Sequence, residues 1–155
     1  MASTVSLDVT LTPLTGKGRT LNEWLTTFHL AVVALDPFDN QGAWILPIAE
    51  RVLYHFSQAD VRVAMLLPAT AEECRMFLGP VVNEFLVFAD PERAAIKGLG
   101  FDRLPTFAHI AMDGTLEAKA EGWHPNEWQA VADNLARVTS WSSPVVFRDG
   151  DPAPF

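Results

Sequence analysis

Leu35-Asp36-Pro37-Phe38-Asp39-Asn40-Gln41-Gly42-Ala43-Trp44-Ile45-Leu46-Pro47 is the stretch whose reading decides the fold. An apolar run, Leu30 to Leu35, ends in a short polar turn, and an amphipathic pattern starts straight after it. Trp44, Ile48, Val52 and Phe56 recur at spacings of four with Leu53 beside them, which predicts one long helix. Asp39 stands at its N-cap position, and Pro47 falls inside it, where a missing amide and a ring clash predict a kink. A strand delivering the chain to a helix N-terminus is a favourable seat for an anion or a thiolate, because free amides and the helix dipole point there. The tetrapeptide in that seat, Asp39-Asn40-Gln41-Gly42, has no cysteine.

Toward the N-terminus, Val5, Leu7, Val9 and Leu11 alternate with polar residues and predict a half-buried strand. Thr20-Leu21-Asn22-Glu23 has capping-box spacing and predicts a short helix carrying Leu21, Trp24 and Leu25 inward. The run Leu30 to Leu35 has no polar side chain, so it predicts a strand covered on both faces.

Toward the C-terminus, Val61 to Leu67 and Phe85 to Ala89 predict two more buried strands. Between them Thr70-Ala71-Glu72-Glu73 opens a helix that Gly79-Pro80 stops. Asp90 followed by Pro91 predicts a short helix with proline in its first position. Thr106 to Met112 and Thr115 to Lys119 flank Asp113-Gly114, the dipeptide of a tight type I′ hairpin. Pro125 starts a last helix with Trp128, Val131, Leu135 and Val138 on one face. Residues 1–139 read as one α/β domain, and residues 140–155, aperiodic and proline-containing, as an arm laid over it through Trp141, Val145, Val146 and Phe147.

Composition narrows the function. A net charge of −8 and a pI near 4.8 argue against nucleic acid and anionic membrane as partners, since both call for a basic face. The first residues lack the basic and apolar regions of a signal peptide, and no apolar run reaches membrane-spanning length. The single cysteine, Cys74, has no internal disulfide partner, which favours a reducing compartment and a cytoplasmic protein. The four histidines, His29, His55, His109 and His124, show no metal-ligand spacing, and no glycine-rich phosphate loop or serine-hydrolase turn is present. No metal or other cofactor is expected.

The order of elements resembles the thioredoxin superfamily, with the helix and strand at residues 70 to 89 similar to the insertion of its redoxin branch. The closest local likeness is Phe88-Ala89-Asp90-Pro91-Glu92-Arg93, then Leu99-Gly100-Phe101, Leu104-Pro105-Thr106-Phe107 and Asp113-Gly114. The resemblance implies a thioredoxin-like fold, a central mixed sheet flanked by helices. It implies that Pro105 is a cis-proline facing the site, that Pro47 is the kink proline, and that Gly122 borders the site. It lays the family's Cys-x-x-Cys over Asp39-Asn40-Gln41-Gly42, puts Phe38 before it, and sets Val33 where the family carries a buried acid. Both cysteines and the acid are absent.

Three loops of the family's substrate groove would then carry Pro37, Phe38, Trp44, Leu104, Pro105, Trp123 and His124. An aromatic, proline-rich platform beside a strand edge suits an extended peptide. The plain alternatives are that Asp39 is only a cap, that Phe38 and Trp44 pack inward, and that His124 is the residue before a helix. The expected function is a redox-inactive thioredoxin-fold binding or adaptor module with a protein or peptide partner, and no catalytic residue. The competing reading is a thiol oxidoreductase or peroxidase using Cys74, although its apolar helix face and neighbouring glutamates raise a thiol pKa. A scaffold that self-assembles through the arm is the third. The closing Gly150-Asp151-Pro152-Ala153-Pro154-Phe155 resembles a phrase that opens many redoxin domains, but here it follows a complete domain and reads as a proline-rich tail.

Overall fold

A computed structural model describes residues 3–155. Its short first strands are β1 (Ser3–Thr4), β2 (Thr10–Leu11) and β3 (Arg19–Thr20), followed by helix α1 (Leu21–Trp24). The single strand expected over Val5 to Leu11 does not form. The carbonyls of Leu7 and Val9 instead accept from the amides of Asn22 and Leu21, so this segment caps the N-terminus of α1 in place of a ladder. Thr20 and Glu23 close the expected capping box.

Strand β4 (His29–Ala34) leads into α2 (Asn40–His55), then β5 (Val61–Leu67), α3 (Ala71–Leu78), a 3-10 turn at Gly79–Asn83, β6 (Leu86–Ala89) and α4 (Ala94–Gly98). The chain finishes with β7 (Thr106–Ile110), β8 (Thr115–Glu121), α5 (Pro125–Thr139) and an irregular arm. The main sheet runs β1-β8-β7-β4-β5-β6, parallel from β4 to β6 and antiparallel at the other pairings. This is the mixed sheet expected from the sequence.

β4 sits in the middle with both faces covered. Ala31, Val33 and Leu35 join α2, α3 and α5 in one core layer; Leu30, Val32 and Ala34 join α1 and α4 in the other. Burial on both sides explains a strand without alternation.

Two local expectations are corrected. α4 begins at Ala94, not Pro91, because the Asp90 carboxylate reaches past the proline to the amides of Ala95 and Ile96. The hairpin turn is three residues long. Gly114 alone takes a positive φ, of 87°, and its amide bonds Ala111, while the Asp113 carboxylate holds the Thr115 amide. A type I′ turn needs positive φ at two residues, and this arrangement spares the aspartate that strain.

Candidate functional site

The end of β4 delivers the chain to the α2 N-terminus through Asp36, Pro37 and Phe38. The Asp36 carboxylate accepts from the Phe38 amide at 2.9 Å and pairs with Arg93 at 3.1 Å, which ties this loop to the entry of α4. Asp39 is the N-cap; its carboxylate accepts from the Gln41 amide at 2.9 Å, satisfying an amide the helix leaves free. Asn40 is exposed and Gln41 half-buried.

Gly42 is the residue over which the sequence resemblance lays a second cysteine, and the backbone gives a reason for glycine there. A Cβ built there would lie 2.0 Å from the Asp36 carbonyl oxygen. The loop has closed over the first turn of the helix, into the space a side chain would need. No sulfur fits at residue 42 while Asp36 stays where it is.

The second loop carries Leu104 and Pro105, whose connecting peptide bond is cis. Pro105 is buried and Leu104 half-buried. The Pro105 carbonyl accepts from the Gly122 amide at 2.7 Å, which couples this loop to the third one. Between the α2 N-terminus and Leu104 lies a polar hollow of about 190 Å³, with Asp36, Asp39, Arg93, Asp102 and Arg103 around it.

The third loop corrects the expected groove. Trp123 is fully buried, so it offers no surface to a partner in this structure. Its ring meets Trp128 edge-on at 5.3 Å and its indole N–H donates to the Pro152 carbonyl at 2.8 Å. Its backbone N–H and C=O are both taken by Phe155, at 2.7 and 3.0 Å. The C-terminal arm therefore lies along this side of the groove. His124 is the half-exposed residue before Pro125 and makes no side-chain cap bond.

Trp44 and Phe38 face outward. Trp44 is 53% exposed and meets the Phe155 ring edge-on at 6.2 Å; the turn of α2 that buries Ile45, Ile48 and Ala49 leaves it outside the core stripe. Phe38 is 68% exposed and, with Pro37, Met76 and Phe77, borders an apolar hollow of about 360 Å³.

Cys74 is elsewhere, on α3, with no exposed surface. Burial, then the Glu73 charge, pushes its thiol up to about 11. Histidines do come together, in a place the spacing did not reveal. His29 Nδ1 and His109 Nε2 are 2.9 Å apart, and His109 Nδ1 is 2.5 Å from Asn134 Oδ1. The Asn134 oxygen only accepts, so His109 carries its proton on Nδ1 and receives one from His29. The pair begins at the N-terminal end of β4, the opposite end from the α2 loop. No group of three metal-ligating side chains occurs among the described residues.

No family model matches the sequence, and no curated protein matches it either. Solved structures do. The chain superposes on Mycobacterium tuberculosis DsbF with a TM-score of 0.66 at 15% identity, covering 86% of this chain and 94% of that one. The thioredoxin domain of a thiol-disulfide oxidoreductase from Bacteroides vulgatus gives 0.66 at 11% identity, with 88% and 98% covered. The exposed lipoprotein thioredoxin of Streptococcus pneumoniae gives 0.63 at 16%, with 83% and 97% covered. At these identities the likeness is one of fold. The chain has the thioredoxin-like fold with a single cysteine, and no described helix is long and apolar enough to cross a membrane.

Proposed function

We propose that this chain is a thioredoxin-fold module that binds an extended polypeptide beside the α2 N-terminus and carries out no dithiol chemistry. Gly42 carries the reading: where a second sulfur would sit, the Asp36 carbonyl leaves no room for a Cβ. Disulfide oxidoreduction, the activity named for the Bacteroides vulgatus neighbour, exchanges thiolates with disulfides and needs an accessible sulfur. Cys74 is sealed in the core with a raised pKa, which disfavours the thiolate as well as access to it. Exposed Phe38 and Trp44 supply apolar anchors, and half-buried Leu104 lines the polar hollow beside the α2 N-terminus. A reducing compartment such as the cytoplasm belongs to the same proposal, since the lone thiol has no internal partner.

The test has two arms. In a disulfide- and peroxide-reduction assay, the parent and Cys74→Ser should both turn over no faster than buffer. Turnover by the parent that Cys74→Ser abolishes would replace this reading with a single-cysteine oxidoreductase. In the second arm, displayed random peptides are selected on the parent. Phe38→Ala should weaken the selected peptides at least tenfold, about 1.4 kcal/mol, while the melting temperature stays put. Unchanged affinity would remove the groove from the proposal.

A further inference from the structure

The arm after α5 divides into two parts with different attachments. Residues 140–148 are bound into the body. Val146 is buried in the α2/α5 core layer, its amide is held by Gln129, and its carbonyl accepts from Arg51 at 2.8 Å. Trp141 and Ser142 are fixed to His55 at the end of α2. Residues 149–155 leave this anchor through a turn at Gly150, with φ of 92°, and lie across Trp123. Asp149, Ala153 and Pro154 are exposed.

The contacts of this second part have the form of ligand recognition. Asp151 is gripped by both terminal nitrogens of Arg51, at 2.8 and 3.1 Å. The Pro152 carbonyl receives the Trp123 indole N–H. Phe155 exchanges two backbone bonds with Trp123, the pattern of two opposed residues in an antiparallel ladder, and sets its ring against Trp44. Gly122 completes the seat: a Cβ there would fall 2.8 Å from the Phe155 oxygen and 2.9 Å from the Arg103 guanidinium. Backbone pairing gives affinity without regard to sequence, and the two side-chain anchors select an acid and an aromatic ring.

We infer that Arg51, Trp44 and the Trp123 backbone form a peptide-recognition site whose resident ligand is residues 149–155. The partner it takes is an extended segment with an acidic residue four places before an aromatic one. This inference rests on the peptide-binding reading above and names its ligand class. The resident segment competes with any such partner, so the affinity seen from outside is lowered by the fraction of time the arm is away. Its displacement leaves the Val146 anchor in place, and it uncovers Trp123 and lifts Phe155 from the core layer it packs against.

The probe is a fluorescent octapeptide of residues 148–155, Arg-Asp-Gly-Asp-Pro-Ala-Pro-Phe, followed by polarisation on the full-length protein. The variant Asp151→Ala/Phe155→Ala loosens the arm and leaves the seat and Val146 intact. It should bind the octapeptide about tenfold more tightly than the parent. An octapeptide lacking the second aspartate and the phenylalanine should not bind. Hydrogen exchange needs no variant: excess octapeptide should speed exchange at the Phe155 amide of the parent by displacing it. Equal affinities for parent and variant, or an exchange rate indifferent to peptide, would overturn the inference. If the octapeptide fails while displayed peptides still bind through Phe38, only the resident-ligand idea falls. If no peptide binds at all, the function reading falls with it.

Discussion

Gly42 stands in the first turn of α2; inside a helix glycine ordinarily costs about 0.5–1 kcal/mol relative to alanine because its backbone is freer when unfolded. At an ordinary helical site, Gly→Ala is therefore stabilising. Here the sign should invert. The added methyl would meet the Asp36 carbonyl at 2.0 Å, and backbone cannot yield as the tip of a long side chain can. Moving Asp36 disturbs its bonds to Phe38 and Arg93. Gly42→Ala should destabilise the protein by about 1–3 kcal/mol, a fall in melting temperature of about 5 °C, read by thermal denaturation. A rise would show that the loop relaxes freely and that a side chain can be accommodated there. From the sequence, Gly42 is only a residue over which the resemblance lays a cysteine. The reason lies in a carbonyl six residues away, and no spacing rule reports a backbone approach.

Elements whose signals are local were legible in the chain. Both capping boxes, the Asp39 cap and the proline opening α5 stand where the sequence put them, because each is an exchange between residues a few positions apart. Contacts between distant elements were not legible, and the histidine chain joining β4, β7 and α5 is an instance. His109 is fully buried, and its pKa is lowered by burial first; the Asn134 bond and Glu117 push it back up, while His29 and Arg137 lower it further. Unfolded, the same side chain titrates near 6.5. The native state thus binds fewer protons than the unfolded state between the depressed pKa and about 6.5, so unfolding is favoured by acid in that window. Stability should be greatest above pH 6.5, fall as pH drops through the window, and level off below the folded-state pKa. Glu50, with a pKa raised by burial and then by Glu84, acts in the opposite direction, so the comparison must be with a variant. Urea midpoints of the parent should fall between pH 7.5 and 5.5, and His109→Gln should lose most of that slope. An equal slope in both would assign the pH dependence elsewhere.

At the scale of the molecule, a central strand buried on both faces makes the two core layers one cooperative unit. Leu30 to Leu35 announced that architecture, since only a covered strand can be apolar without alternation. The groove was read one-sidedly: Phe38 and Trp44 are exposed as a binding surface requires, but Trp123 is sealed under the arm. The arm carries no period that sequence reading can use, and its bonds are to residues dozens of positions away. Cys74 sits inside one of the two layers, so its sulfur is a reporter for the whole unit. A thiol at about 11 is some hundredfold poorer in thiolate at neutral pH than one at its ordinary value of 9.0, before any barrier of access is counted. Alkylation in the native state should then be more than a hundredfold slower than in urea. Under conditions where reclosing outruns alkylation, its rate should rise with urea along the same slope that equilibrium unfolding gives, because the route to the sulfur is global opening. Labelling that is slow but insensitive to urea would mean a local door in α3. Labelling as fast as in the unfolded chain would mean a reachable thiolate, and with it the single-cysteine chemistry that the buried position argues against.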